Sequence, residues 1–194
     1  MTSRFVRICS RAATAVLVLA TSFASAESPP PVAPPDAWTL LVYSLRLLPI
    51  EAAPATPSYD QALAYRLELV NACVEATEDR TERYICVKVP RFESNYREDV
   101  GRCGVRGKAG DRSAWQIVPR NEAESGRLCQ SLVEDARFHL ERVRESRAAC
   151  RHLPRNEQLA MYARGDCGSE EGRKLSKHRF PTDAEVRRVE TERW

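Results

Sequence analysis

The sequence predicts a mainly α-helical domain stapled by disulfides. Apolar residues recur with helical spacing in several segments, and three of these segments begin with a capping pattern. We find no run of alternating apolar and polar residues of the kind typical of strands, and no internal repeat. With 43% apolar and 29% charged residues, the composition fits a globular body and excludes wholesale disorder.

The first 26 residues have the pattern of an export leader. Three arginines precede an apolar run at residues 12–20, and Ala24-Ser25-Ala26 forms a small-x-small cleavage pattern. We expect residues 1–26 to be a signal peptide and the protein to be exported, to the periplasm or the extracellular space. The apolar run is too short for an ordinary transmembrane helix, so no stable membrane span is expected. An uncleaved membrane anchor is the alternative.

The charge balance bears on possible partners. Without the three arginines of the leader, the chain carries 27 basic and 27 acidic residues. This balance excludes a nucleic-acid binder recognisable from bulk charge, so no nucleic-acid partner is expected.

Residues 27–57 are expected to form a stiff linker, because they contain eight of the twelve prolines. Within the linker, Trp38, Leu41, Leu45 and Leu48 follow helical spacing up to Pro49. This pattern predicts a short amphipathic helix that docks on the main domain; contact with a membrane or a partner is the alternative.

The main domain is expected to span residues 58–194 and to begin with two helices. Ser58 and Gln61 form a capping pattern that starts a helix near 58–76. Asp79 starts a second helix over about 81–90. Pro90 lacks an amide hydrogen, so we expect it to bend or end that helix just before Phe92 and Glu93.

The rest of the domain is also read as helical, apart from a charged, glycine-containing loop at 97–113. The clearest helical stripe covers residues 132–143. A short helix is predicted over 155–164, with Gly165 placed to end it. The pattern of Thr182 and Glu185 predicts a last helix running towards Trp194.

Six cysteines follow the leader, and their even number in an exported protein predicts three disulfides. They are Cys73, Cys86, Cys103, Cys129, Cys150 and Cys167. None of them has C-x-x-C spacing, and no histidine is spaced with them as in a zinc finger. We therefore expect neither a metal site nor a cofactor.

The predicted helix order suggests how the cysteines pair. Cys73 and Cys86 are nearly equidistant from the short turn between two antiparallel helices. Cys150 and Cys167 bracket the 155–164 helix, and Cys103 and Cys129 are left for each other. Six cysteines allow about 15 full pairings, so this is one hypothesis among several.

Glu93 is the first candidate for chemistry. It follows Phe92 at the end of an apolar helix, within the segment Arg91-Phe92-Glu93-Ser94-Asn95-Tyr96. A carboxyl group held partly out of water can keep a proton and act as an acid near neutrality. An ordinary surface glutamate after a helix is the alternative.

Two further segments favour the interpretation of Glu93 as an acid over that of an ordinary surface glutamate. Residues 110–119 read GDRSAWQIVP, and residues 158–165 read QLAMYARG. In this order, the three segments resemble the lysozyme-like superfamily, particularly soluble lytic transglycosylases and goose-type lysozymes. That family shows E-S-x-[FY], then G-x-x-Q-[IV]-x-P, then Y-N-A-G. The matching residues are Glu93, Ser94, Tyr96, Gln116, Ile117, Pro119, Tyr162 and Gly165. The resemblance covers about residues 80–170.

The chain also departs from the family motifs. Ser113 replaces the usual glycine of G-x-x-Q, and Trp115 stands where methionine is common. Ala163 and Arg164 replace the asparagine and alanine of the third motif, which removes an expected hydrogen bond to the substrate.

The resemblance implies a lytic transglycosylase that cleaves the β-1,4 bond between N-acetylmuramic acid and N-acetylglucosamine in peptidoglycan. Protonated Glu93 would donate to the departing oxygen and then take a proton from the muramyl 6-hydroxyl, giving a 1,6-anhydro product. In an inverting goose-type lysozyme a second carboxylate activates water, and Asp111 is the candidate. Asp111 has two structural alternatives, turn formation beside Gly110 and pairing with Arg112.

The resemblance implies that Gln116 and Tyr162 hydrogen-bond the sugar or orient Glu93, and that Ser94 binds the substrate; Trp115 is a further candidate, which would stack on a sugar face. Core packing and buried structural hydrogen bonds are the alternatives for these side chains. Two other classes of function stay open: a non-catalytic glycan-binding envelope protein of the same fold, and a small secreted disulfide-rich interaction protein. A serine hydrolase is disfavoured because no G-x-S-x-G pattern is present.

Overall fold

The computed structural model describes residues 35–52 and 58–191. As predicted, these residues are mainly helical, and their β-structure is one isolated bridge between Arg112 and Ile117. The α-helices are α1 (Ala37–Leu47), α2 (Tyr59–Ala76), α3 (Arg80–Glu93), α4 (Glu98–Gly101), α5 (Glu122–Arg127), α6 (Leu132–Ala149), α7 (Ala160–Arg164), α8 (Glu170–Arg179) and α9 (Asp183–Thr191). The predicted signal peptide, the first part of the linker and residues 53–57 lie outside the described residues.

Helix α1 docks on the main domain, as its apolar spacing predicts. The Asp36 carboxylate caps it by accepting the Thr39 N–H at 2.7 Å. Leu40 and Tyr43 are fully buried where α1 packs against α2, α3 and α9. The same core therefore includes part of the segment assigned to the linker. No helix in the described ranges has the length and apolar character needed to cross a membrane.

Helix α2 lies at the centre of the packing and contacts α1, α3 and α6. Its predicted cap is confirmed, because the Ser58 hydroxyl accepts the Gln61 N–H at 3.2 Å. Buried Arg66 extends from α2 to the end of α1, where it donates to the Ser44 and Leu48 carbonyls at 3.0 and 3.1 Å. The Ser44 carbonyl also accepts the Leu48 N–H at 3.1 Å, so Arg66 is a second donor there and supplies a donor to the Leu48 carbonyl just beyond the helix.

We predicted that Pro90 bends or ends α3; it does not end the helix, which continues to Glu93. Proline has no N–H to donate to the carbonyl four residues earlier, which here belongs to Cys86. That carbonyl instead accepts the indole Nε1–H of Trp115 at 2.8 Å. A donor from another part of the chain thus offsets the missing bond, and α3 keeps the turn that ends in Glu93.

The three predicted cysteine pairs are confirmed. Disulfides join Cys73 to Cys86, Cys103 to Cys129 and Cys150 to Cys167, with Cα–Cα separations of 5.8, 5.9 and 5.4 Å. The first fastens α2 to α3, and the last closes the segment that contains α7. The second ties the end of α4 to the turn before α6, so it anchors both ends of the long connection between them.

Helix α8 was not predicted, because the face it buries is polar. Gly172, Ser176 and Arg179 are its buried residues. At Gly172 a Cβ atom would come within 3.0 Å of the Ala160 carbonyl, so glycine permits the close approach of α8 to α7. The Ser176 hydroxyl accepts the Leu159 N–H at 2.9 Å.

Residues 97–113 were predicted to form a loop. This prediction is wrong over the short helix α4, Glu98–Gly101.

The predicted helix at 155–164 forms as two pieces. A 3₁₀ turn covers Arg155–Glu157, and α7 follows. Gly165 ends α7 as predicted, since it takes a left-handed φ of 83° that favours glycine.

Candidate functional site

The three segments that carry the sequence motifs meet around one cleft of about 480 Å³. The end of α3, the loop before α5 and helix α7 contribute to its walls, together with α6 and α8. Its lining residues are Glu93, Asp111, Gln116, Ile117, Val118, Arg120, Arg142, Met161, Tyr162, Ala163, Arg164, Gly165 and Arg179. Glu93, Asp111, Gln116 and Tyr162 are thus brought together from positions up to 69 residues apart.

The turn after Glu93 is held rigidly. Asn95 and Tyr96 have φ values of 51° and 56°, a left-handed region that is costly for a residue such as tyrosine. The buried Tyr96 side chain compensates by donating its hydroxyl to the Val87 carbonyl at 2.9 Å. The Arg66 guanidinium covers the Tyr96 ring at 3.7 Å. The backbone that follows Glu93 is therefore fastened to α3 and α2.

The Glu93 carboxylate forms an ion pair with Arg179, which sequence reasoning missed. Arg179 lies at the end of α8, and its Nε and Nη2 atoms are 2.7 and 2.5 Å from Glu93 Oε1. The Arg179 side chain is only 9% exposed, and that of Glu93 is 20% exposed. Within the described part of the chain, Glu93 Oε2 has no hydrogen-bond donor and is not enclosed. One carboxylate oxygen of this cleft-lining residue is therefore held by the guanidinium, while the other is accessible.

Asp111 also lines the cleft, on the loop that follows Gly110. Its Oδ1 atom accepts the Ala109 N–H at 3.2 Å, and its carboxylate lies close against Gly107. Within the described ranges it forms no ion pair with Arg112. Asp111 thus takes part in the turn beside Gly110, and it is also the second carboxylate residue of the cleft lining.

Gln116 lines the cleft from the same loop. Its φ is 47°, and its side-chain amide donates to the Ser113 carbonyl at 2.9 Å. Ser113, which replaces the family glycine, is fully buried with a φ of 67°. This tight turn places Gln116 in the lining of the cleft.

Tyr162 connects the cleft to the core. Its hydroxyl donates to the Trp115 carbonyl at 3.1 Å and lies 3.1 Å from His139 Nδ1. Burial raises the pKa of the Tyr162 hydroxyl well above its ordinary value, with a further contribution from the negative charge of Glu93. Tyr162 is therefore a neutral hydrogen-bonding group beside that carboxylate.

Trp115 and Ser94 do not line the cleft. Trp115 is fully buried and stacks on His139 with ring centroids 5.6 Å apart, so it fills the core behind the cleft. The buried Ser94 hydroxyl donates to the Pro90 carbonyl at 3.1 Å. Each of these two side chains thus takes the structural role that was the alternative to substrate binding.

Four arginines face two carboxylates in the cleft lining. Arg142 pairs with Glu124 at 2.6 Å, and Arg120 pairs with Glu145 at 2.9 Å. Arg164 pairs with Glu171 at 2.7 Å. These three glutamates lie outside the lining, so the lining itself holds four arginines and two carboxylates.

One cluster in the described residues has the elements of a metal site. The sulfur atoms of Cys103 and Cys129 and a carboxylate oxygen of Asp135 lie within 4.8 Å of one another. The two sulfurs are bonded to each other, so neither is the thiolate that a metal ion requires. The cluster is a disulfide beside a buried acid.

Comparison with known proteins yields no relative: no family model, curated protein or solved structure matches the chain.

Proposed function

We propose that the protein is a lytic transglycosylase that cleaves the β-1,4 bond between N-acetylmuramic acid and N-acetylglucosamine in peptidoglycan. The observation that carries the proposal is the convergence of Glu93, Gln116 and Tyr162 on one cleft. Each comes from a different one of the three resembling segments. Packing of the helices against one another does not by itself require these three polar side chains to line the same cleft.

Glu93 is the proposed acid and base. Glu93 lines the cleft and its Oε2 atom is accessible, so Oε2 can carry the proton that passes to the glycosidic oxygen as the bond to C1 breaks. The resulting carboxylate then takes the proton of the muramyl 6-hydroxyl. That oxygen attacks C1 and closes the 1,6-anhydro ring. No water enters the product, and Glu93 ends the cycle protonated as it began.

Arg179 supports the second half of this cycle. When Glu93 has given up its proton, the guanidinium on Oε1 stabilises the carboxylate that forms. The 6-hydroxyl belongs to the bound sugar, so its attack gains the advantage of proximity over attack by free water. Gln116 and Tyr162 are the proposed polar contacts that orient the sugar.

The same ion pair favours a second candidate, a non-catalytic glycan-binding protein of the envelope. The guanidinium of Arg179 is a direct partner for the Glu93 carboxyl group, whereas a general acid must carry a proton. In this alternative the cleft binds glycan strands, and the Glu93–Arg179 pair is structural.

The test is the product of peptidoglycan digestion, identified by mass spectrometry. The transglycosylase predicts anhydro-muropeptides, which lack one water relative to hydrolytic products. Glu93→Gln keeps the shape and the Arg179 contact but carries no acidic proton, so release should fall by about 10²–10⁴-fold. Glu141→Gln is the matched control, because Glu141 is ion-paired on α6 and does not line the cleft.

The outcomes separate the candidates. Reducing-end muropeptides from the parent protein would instead indicate a lysozyme. Binding to sacculi with no released product, equal in the parent and in a folded Glu93→Gln variant, would indicate the non-catalytic protein.

A further inference from the structure

The ion pair between Arg179 and Glu93 conflicts with the acid step of the proposed reaction. Its side chain is nine-tenths buried, and in the described part of the chain Glu93 is the one group that hydrogen-bonds or ion-pairs with it. A buried cation that loses its partner is strongly destabilised, because it has given up its hydration. The acid step requires Glu93 to be protonated, which removes that negative charge from beside the guanidinium.

The surrounding residues do not supply a replacement charge. Arg120, Arg142 and Arg164 line the same cleft, and each already pairs with a glutamate outside it. Asp111 is the other carboxylate of the lining, and its Oδ1 atom is bonded to the Ala109 amide. In the described residues no second carboxylate contacts Arg179, so the ligand is the candidate source of a counter-charge during the acid step.

We propose that Arg179 binds a carboxylate of the glycan substrate when Glu93 is protonated, so that the cleft selects acidic strands. This inference rests on the proposed function and names the substrate class for it. While Glu93 carries its proton, the substrate anion would take the position on Arg179 that Glu93 Oε1 occupies in the unliganded protein, and Oε1 would regain the guanidinium once the proton has passed to the glycosidic oxygen. Binding of the substrate would then also release Glu93 to carry its proton.

Peptidoglycan offers carboxylates from two sources. A strand stripped of its peptides exposes the lactyl carboxylate of each muramic acid. A strand that keeps its stem peptides has this lactyl group bound in an amide, but carries carboxylates on the peptide. The shared chemistry is a carboxylate near the muramyl sugar, and substrates of each kind distinguish the sources.

The experiment compares three substrates: strands with intact stem peptides, strands stripped by an amidase, and stripped strands whose carboxylates are converted to neutral methylamides. For each, the rate of anhydro-product release and the binding of the strands are measured. We expect the parent protein to prefer at least one acidic substrate over the neutral one by about tenfold or more, as for a charge-assisted contact.

Arg179→Gln should abolish this preference, and Arg179→Lys should retain part of it because lysine keeps the positive charge. Arg127→Gln is the matched control, since Arg127 pairs with Glu141 away from the cleft lining. Thermal unfolding of each variant checks that it is folded. If Arg179→Gln does not fold, the comparison of the parent with Arg179→Lys carries the test.

The inference would be overturned if the parent protein bound and cleaved acidic and neutral strands equally well. It would also be overturned if a folded Arg179→Gln variant kept the full preference for acidic strands. The binding measurement separates this failure from that of the proposed function. A protein that binds acidic strands through Arg179 but releases no product would retain the carboxylate site and refute the transglycosylase.

Discussion

The indole nitrogen of Trp115 donates to the carbonyl of Cys86, the acceptor that Pro90 leaves without its helical partner. The two residues are 29 positions apart, and both are fully buried. Through this bond the loop that carries Gln116 supports the last turn of α3, which carries Glu93. Two walls of the cleft are thus coupled by one hydrogen bond in the core.

We therefore expect Trp115→Phe to destabilise the protein. Phenylalanine cannot donate to the Cys86 carbonyl, and a buried acceptor without a partner costs about 1–3 kcal/mol. The free energy of unfolding in urea should fall by at least this amount, with a further loss from the smaller ring. The control is Trp38→Phe, because Trp38 is 65% exposed and its replacement should have little effect.

Pro90→Ala tests the origin of that loss. Alanine restores an amide hydrogen that can donate to the Cys86 carbonyl, so it should recover part of the stability in the Trp115→Phe background. If Pro90→Ala has the same effect in the parent and in the variant, the Trp115 bond does not substitute for the helical one.

The capping residues show how far the sequence determines the helices. The Thr182 hydroxyl accepts the Glu185 N–H at 3.2 Å, as the pattern before α9 predicts. Such contacts lie within one turn, so local spacing reveals them. The continuation of α3 past Pro90 and the polar contact of α8 with α7 depend on distant partners, which no local pattern contains.

The same difference applies to the candidate site. Glu93, Gln116 and Tyr162 were identified from short motifs, whereas the pairing of Glu93 with Arg179 spans 86 residues and had no sequence signal. His139 was also missed as a neighbour of the site. A single histidine on an amphipathic helix gives no indication that it will contact a cleft tyrosine.

Burial of His139 predicts a specific loss of stability in acid. Its ring is fully enclosed, and desolvation lowers its pKa from 6.5 to about 3. Between these pH values the unfolded chain binds a proton that the folded protein excludes. The free energy of unfolding should therefore fall as the pH drops through this window, by up to about 1.4 kcal/mol per pH unit.

His139→Phe removes this proton uptake, so its free energy of unfolding should depend less steeply on pH between about 6 and 4. Urea unfolding at several pH values measures the slope. The exposed His152 provides the control His152→Gln, which should leave the slope close to that of the parent. Equal slopes for the parent and His139→Phe would contradict the prediction.

Burial of Asp135 predicts the opposite pH dependence of the free energy of unfolding. Its side chain is buried near the start of α6, and its Oδ1 atom accepts the Cys129 N–H at 2.8 Å. Burial raises its pKa from 3.8 to about 6. The folded protein thus holds this proton more tightly than the unfolded chain, and its contribution to stability is lost as the pH rises through that window.

Asp135→Asn should therefore raise the free energy of unfolding by about 1–3 kcal/mol at pH 8 and change it little near pH 4. Asparagine is neutral, and its carbonyl oxygen can accept the same bond from Cys129. The exposed Asp60 supplies the control Asp60→Asn, for which no such gain is expected. A loss of stability at pH 8 would show that the negative charge itself is needed.

The last prediction concerns the reaction that follows bond cleavage. An inverting hydrolase needs its second carboxylate about 6.5–9.5 Å from the first, with a water between them. Asp111 lines the cleft with Glu93, but its Oδ1 atom is engaged by the Ala109 amide, a bond that asparagine can also accept. In the proposed transglycosylase Glu93 performs both proton transfers, and Asp111 shapes the loop.

Asp111→Asn should therefore reduce product release by less than about tenfold, against about 10²–10⁴-fold for Glu93→Gln, and leave the anhydro product unchanged. Mass spectrometry of the digests measures both the amount and the kind of product. Suppose instead that the parent releases only reducing-end sugars and that Asp111→Asn abolishes their release. Asp111 would then be the base that activates water, and the protein would be a hydrolase of the goose-type kind.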